Sequence, residues 1–162
     1  MDLIEFVRRW SRASAAERAN AQLFLTELCG VLGIAPPSPA TNDPAVDRYV
    51  FEYPIRQAHG ADRVADTRAD LFKADCFLLE AKQGGTGGKG VKRGTPSWER
   101  LMNDAYSQAL GYARGLDRPP PFLLVCDVGH CFDLYESFDG SGVYRKFPDA
   151  LRSRLFVELM PT

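Results

Sequence analysis

The spacing of apolar and polar positions changes several times along the chain, and each change marks an element. Residues 2–10 carry apolar side chains at helical spacing, which predicts a short amphipathic helix. Ser14-Ala15-Ala16-Glu17 matches a capping box, so a second helix is expected from there to about Leu32, closed by Gly33. Leu23, Phe24, Leu28, Val31 and Leu32 would form its apolar face. Residues 35–48 hold several prolines with Asn42 and Asp43, and read as a surface connection.

Strand patterns follow. Residues 49–53 read as a first strand stopped by Pro54, with a polar loop over 56–65. Residues 67–73 and 76–82 read as two strands joined by a tight connection. The run Cys76-Phe77-Leu78-Leu79 suits a strand buried on both faces. Residues 83–97 are rich in glycine, carry Lys89, Lys92 and Arg93, and lack acidic residues, which predicts a flexible basic loop. Residues 98–116 predict a second long helix with Ser97 as its cap. Residues 122–126 and 131–136 predict strands around a turn at 127–130. One more strand is expected over 143–147, and a last helical turn or two over 148–155. The order implies an α/β fold, a mixed sheet with helices on its faces. Residues 1–162 form a single domain in this reading, with a helical part over 1–48 and a core over 49–147.

Composition narrows the class. The 162 residues are 45% hydrophobic and 25% charged, as in ordinary globular domains. No apolar run approaches the roughly 20 residues of a membrane span, and residues 1–5 lack a signal-peptide pattern, so a cytoplasmic protein is expected. Cys29, Cys76, Cys126 and Cys131 show no zinc-ligand spacing and read as buried free thiols. The net charge is −1. Contact with nucleic acid would therefore come from local basic patches. Lys89, Lys92 and Arg93 are the first candidates for gripping phosphates, and Arg8, Arg9 and Arg12 would form either a second patch or the wet side of their helix. His59 and His130 read as ordinary loop residues.

The chemistry concentrates in Asp70, Glu80 and Lys82. Strand alternation puts Glu80 and Lys82 on one face. Two carboxylates offer the hard oxygen ligands that Mg²⁺ prefers. A bound ion polarises a phosphate and acidifies a water, and a lysine orients that water and offsets charge on the phosphate. Asp70 shares the face of Glu80 only if the connection at 74–75 has three or five residues, or a bulge. A two-residue hairpin would pair residue 70 with 79. The alternative is a solvated sheet edge. Leu101, Ala105, Gln108 and Tyr112 form one helical stripe. Gln108 and Tyr112 are either a satisfied core pair or residues leaning over Lys82 and its surroundings. Glu27 borders the apolar face of its helix and either reaches the same site or points to solvent.

Asp70, Glu80 and Lys82 followed by Gln108 and Tyr112 resemble the PD-(D/E)XK nucleases with a RecB-like QxxxY extension. Phe6-Val7-Arg8-Arg9-Trp10, Phe51-Glu52, Leu79-Glu80-Ala81-Lys82-Gln83-Gly84, Arg93-Gly94-Thr95 and Asp127-Val128-Gly129-His130 are similar to the N-terminal nuclease domain of MmeI-like single-chain restriction-modification enzymes and related class I SAM-dependent DNA methyltransferases. The resemblance covers nearly the whole chain. It implies a restriction-endonuclease-like αβββαβ core and cleavage of double-stranded DNA with Mg²⁺, for which Mn²⁺ would substitute. Asp70, Glu80, Lys82 and Gln108 would be catalytic. Asp70, Glu80, Ala81 and Glu27 would surround the metal, and Tyr112 and Glu52 would support the site. It also implies downstream methyltransferase and target-recognition domains; cutting both strands needs two such sites, so a transient dimer on DNA is expected. A non-catalytic DNA-binding or scaffolding module, or a repair or recombination nuclease, are the alternatives.

Overall fold

The computed structural model describes residues 1–13, 17–58, 64–85 and 90–147. Three helices and six strands follow in the order α1 (Leu3–Trp10), α2 (Glu17–Leu32), β1 (Tyr49–Ala58), β2 (Val64–Lys73), β3 (Phe77–Lys82), α3 (Pro96–Arg114), β4 (Phe122–Asp127), β5 (Cys131–Glu136) and β6 (Arg145–Lys146). The strands form one sheet in sequence order. Only β3 and β4 run parallel, joined by the α3 crossover, and the other neighbouring pairs are antiparallel. This is the mixed α/β sheet that the sequence pattern predicts.

The sheet divides two apolar layers. On one face Trp98, Met102, Ala105, Ala109 and Ala113 of α3 pack over Leu78, Leu123 and Val125. On the other, Phe6, Trp10 and Phe24 of α1 and α2 pack over Leu79, Ala81, Cys126 and Phe132. Alternation along β3 therefore fixes which side chains meet which helix. Each large apolar side chain enclosed here stabilises the fold by roughly 1.5–3 kcal/mol before conformational entropy is counted.

Several boundaries differ from the sequence expectation. β1 runs through Pro54 to Ala58. It is an edge strand, and a proline on an edge removes no ladder hydrogen bond when its nitrogen faces outward. Leu23 and Leu32 are exposed, and the buried stripe of α2 is set by Ala21, Phe24, Leu25 and Cys29. Helix α3 starts at Pro96 and is capped by Thr95, whose Oγ1 accepts from Trp98 N, rather than by Ser97. β6 is shorter than 143–147 because its pairing with β5 covers only Arg145 and Lys146. The capping box over Ser14–Ala16, His59, Lys89 and the helical turns expected over 148–155 lie outside the described residues.

The β2–β3 connection has three residues, since Lys73 pairs with Phe77 and Leu71 with Leu79. Asp75 in its middle takes φ 58°, the left-handed turn that such a short link needs. One more step along this register sets Asp70 opposite Glu80. β1 and β2 also turn over locally. Phe51 and its partner Leu71 belong to the α1–α2 layer, whereas Tyr53 and its partner Ala69 belong to the α3 layer. The inversion falls at Glu52, with φ 54°, and at Asp70 across from it. A left-handed non-glycine residue inside a strand costs roughly 1–2 kcal/mol, and such strain tends to gather at functional sites.

Candidate active site

Glu80 and Lys82 are the last outward steps of β3 on its α3-facing side. Glu80 is 2% exposed. Its Oε1 accepts from Lys82 Nζ at 3.1 Å. The ammonium also reaches Gln108 Oε1 of α3 at 3.4 Å. Gln108 in turn donates through Nε2 to the Tyr112 hydroxyl at 2.6 Å. The ammonium can only donate, so the Gln108 carbonyl oxygen turns to Lys82, and the amide nitrogen is left to donate to the Tyr112 hydroxyl. The i, i+4 spacing on α3 makes this possible, and Gln108 touches both Lys82 and Tyr112.

Asp70 enters from the neighbouring strand. Its Oδ2 accepts the Ala81 backbone N–H at 2.7 Å. The Asp70 side chain thus takes a main-chain donor of β3 just beyond the last Leu71–Leu79 pairing. Burial pushes the Tyr112 phenol above its ordinary pKa, and the charges of Glu80 and Asp70 push it further, while the Gln108 bond and Lys82 pull it down. The phenol therefore remains protonated through neutral pH.

The donor set suits a hard cation. Asp70 and Glu80 supply carboxylate oxygens. Ala81 turns its N–H toward β2, and in an extended strand the carbonyl of the same residue points the same way. Among the described residues no group of three or more His, Cys, Asp or Glu side chains gathers at metal-ligand spacing. A metal here would rest on two carboxylates and a carbonyl, leaving further positions to water, which is the habit of Mg²⁺ rather than of zinc.

Other sequence candidates fall elsewhere. Glu27 is not brought to this site. Its Oε2 accepts from Trp10 Nε1 at 2.8 Å, and its Oε1 pairs with Arg9 at 3.2 Å. It braces α2 against α1 on the opposite side of the sheet from Glu80 and Lys82, because its helix turns that edge to α1. Glu52 lies beside Asp70, and its carbonyl accepts from Arg68 Nη1 at 3.0 Å. Lys92 is exposed. Arg93 is not a loose cation on a flexible loop. Its Nε and Nη2 hold the two oxygens of Asp127 at 2.8 and 2.9 Å, and Nη2 also donates to the Val128 carbonyl. The loop base is paired as well, with Gly85 N donating to the Val91 carbonyl and Arg93 N to the Gly85 carbonyl. His130 packs edge-on against Trp98. The four cysteines are free, and Cys29, Cys126 and Cys131 are buried.

Asp127 is the residue that sequence reasoning missed. It ends β4 directly beside Lys82 and is fully buried. Gly84 N, Arg93 and Trp98 Nε1 all donate to it. A side chain at Gly84 would press on its carboxylate, since a Cβ there would lie 2.9 Å from Asp127 Oδ2. The available signal was an acid closing the apolar strand 122–126, the same pattern that drew attention to Glu80.

A mixed sheet whose central β3 ends in Glu80-Ala81-Lys82, with Asp70 alongside and a crossover helix above, defines a restriction-endonuclease-like α/β domain. The family model described as MmeI, N-terminal domain matches residues 1–159, and the chain belongs to that family. No curated protein and no solved structure matches it significantly. Among the described residues no helix is long and apolar enough to cross a membrane.

Proposed function

We propose that this domain is the Mg²⁺-dependent DNA endonuclease module of a restriction-modification or phage-defence protein. The observation that carries the reading is the chain of contacts Glu80–Lys82–Gln108–Tyr112, with Asp70 anchored on Ala81 next to it. Magnesium bound by Asp70 and Glu80 would polarise the scissile phosphate and lower the pKa of a bound water. Lys82 orients the attacking water and offsets the charge that builds on the phosphate. Gln108 holds the Lys82 ammonium toward Glu80, and Tyr112 holds Gln108. Asp70 and Glu80 keep their positions because the Ala81 N–H ties the first to the strand that carries the second.

Membership of the MmeI N-terminal family supports a role with linked methyltransferase and target-recognition domains. The domain carries a formal charge of −1, so alone it binds duplex DNA weakly. Non-specific binding by basic domains is itself only about 10⁻⁴–10⁻⁶ M at physiological salt. Sequence specificity then comes from an attached recognition module acting by effective concentration, and cleavage of both strands from two copies meeting on DNA. The test is plasmid cleavage by a chain carrying its downstream domains, with Mg²⁺ or Mn²⁺, with and without chelator, beside Lys82→Ala. Metal-dependent cutting that falls on the order of 10²–10³-fold in the variant is expected. Cutting that survives chelation, or is equal in the variant, refutes the reading.

A further inference from the structure

Beyond the C-terminal end of α3, a cleft of about 880 Å³ opens between the β1–β2 ribbon and residues 115–118. Its floor includes Tyr53 and Phe72, whose rings lie 4.3 Å apart. Four arginines line it, Arg48, Arg56, Arg68 and Arg118, against two carboxylates, Asp75 and Asp117. The lining is therefore net positive by two formal charges, in a chain whose overall charge is −1.

The arginines are available to an incoming anion. Arg48 and Arg118 both lean on Asp75, but their side chains are 62% and 84% exposed and Asp75 is 49% exposed. Exposed ion pairs of this kind contribute only about 0–1 kcal/mol, so a phosphate displaces them at little cost. Arg56 and Arg68 are exposed as well. Guanidinium groups match phosphate oxygens in a bidentate way that ammonium groups do not.

The cleft also adjoins the candidate active site through β2. That strand gives Arg68 and Phe72 to the cleft, and Asp70, between them, to the carboxylate cluster. Arg68 donates to the carbonyl of Glu52, the residue across from Asp70 where both strands turn over. The basic loop expected from the sequence is a weaker candidate, because Arg93 is consumed by Asp127.

We propose that this cleft grips the phosphodiester backbone of DNA next to the scissile bond, with Arg56, Arg68 and Arg118 as phosphate contacts. The proposal rests on the nuclease reading above and names the surface that carries its substrate. Such contacts position DNA and carry no sequence information, which fits a domain that depends on an attached recognition module.

The test is fluorescence anisotropy of a labelled DNA duplex across a salt series, in chelator so that no strand is cut. Arg56→Gln/Arg118→Gln removes two exposed charges, and Arg100→Gln/Arg145→Gln is the charge-matched pair outside the cleft. Melting curves show that each variant folds, and Arg56→Lys/Arg118→Lys serves as the conservative partner. The cleft pair should weaken binding and lower the slope of log K against log salt by about 0.9 for each phosphate that the protein no longer neutralises. The lysine pair should recover most of the slope, and the control pair should match wild type. Equal binding and slope in the cleft pair and wild type would overturn the proposal, as would an equal weakening in the control pair, which would mark a bulk-charge effect. The series starts at low salt, where phosphate contacts bind most tightly, so wild type without measurable binding there would overturn it too. The nuclease reading falls separately, only if metal-dependent cleavage is also absent or is indifferent to Lys82→Ala.

Discussion

At the end of β4 the Asp127 carboxylate is fully buried and held by fixed donors: the Gly84 backbone N–H, the Trp98 ring N–H and a two-point Arg93 guanidinium. One strand over, at the end of β3, the Glu80 carboxylate is almost as deeply buried. Its bond to Lys82 comes from an ammonium on a flexible stem, 18% exposed and shared with Gln108. The two sites lie side by side, since Lys82 and Asp127 are register partners. Both pair a buried acid with a base. Rigid, saturating donors make the first a clasp that closes the loop after β3 onto the start of α3. On the proposed function, the ammonium at the second is the partner that a metal or a water would replace. Buried ion pairs are not by themselves evidence of stability or of catalysis. The geometry of the donors is what differs between the two pairs.

The contrast breaks most visibly at the clasp. Asp127→Ala leaves the Arg93 guanidinium without its counter-ion in a largely buried place, and should destabilise the domain by about 3–5 kcal/mol in chemical denaturation. Glu80→Gln, equally buried and nearly isosteric, should leave stability unchanged or raised while removing cleavage. Equal stability losses in the two variants would erase the distinction. Gly84→Ala forces a Cβ against Asp127, Arg93 and Trp98, with an expected cost of about 1–3 kcal/mol. Because it loosens the clasp and not the Glu80–Lys82 pair, the refolded variant should keep its metal dependence.

Smaller effects sharpen the second site. Tyr112→Phe removes the acceptor of the Gln108 amide N–H, a bond worth about 1 kcal/mol net. Cleavage should fall about five- to tenfold with a thermal melt close to wild type. A wild-type rate would reduce Gln108 and Tyr112 to packing. Glu27→Gln retains an acceptor for Trp10 and removes an ion pair with Arg9, whose side chain is 55% exposed. Stability should drop by under about 1 kcal/mol, and cleavage should not change. A fall in cleavage comparable with that of Glu80→Gln would return Glu27 to the metal site.

Period and spacing carried much of this arrangement. Alternation along 76–82 put Glu80 and Lys82 on one face, and helical spacing put Gln108 and Tyr112 inward. The expected odd connection is present as the three-residue link through Asp75, while Asp70 itself sits where the strands turn over, with its carboxylate on the Ala81 N–H. What escaped depended on partners far away in sequence. Arg93 and Asp127 are 34 residues apart, so local composition read Arg93 as part of a loose basic loop. Glu27 faces Trp10 and Arg9 because α1 folds back onto α2, a tertiary choice that helix periodicity does not encode. Pro54 looks like a strand stop in the sequence because its edge position depends on the finished sheet order. The turning over of β1 and β2 at Glu52 and Asp70 has no signature in a hydrophobic pattern, since both strands invert together and keep their register.

The central claim is that Asp70 and Glu80 share one divalent ion. Titration of the folded chain with Mn²⁺, followed by electron paramagnetic resonance of the free ion, measures this without any cleavage assay. Wild type should bind Mn²⁺ at one site per chain, and both Asp70→Asn and Glu80→Gln should lose that site, while Glu27→Gln and Lys82→Ala retain it. Unchanged binding in both carboxylate variants, or a site that disappears with Glu27→Gln, would contradict the account.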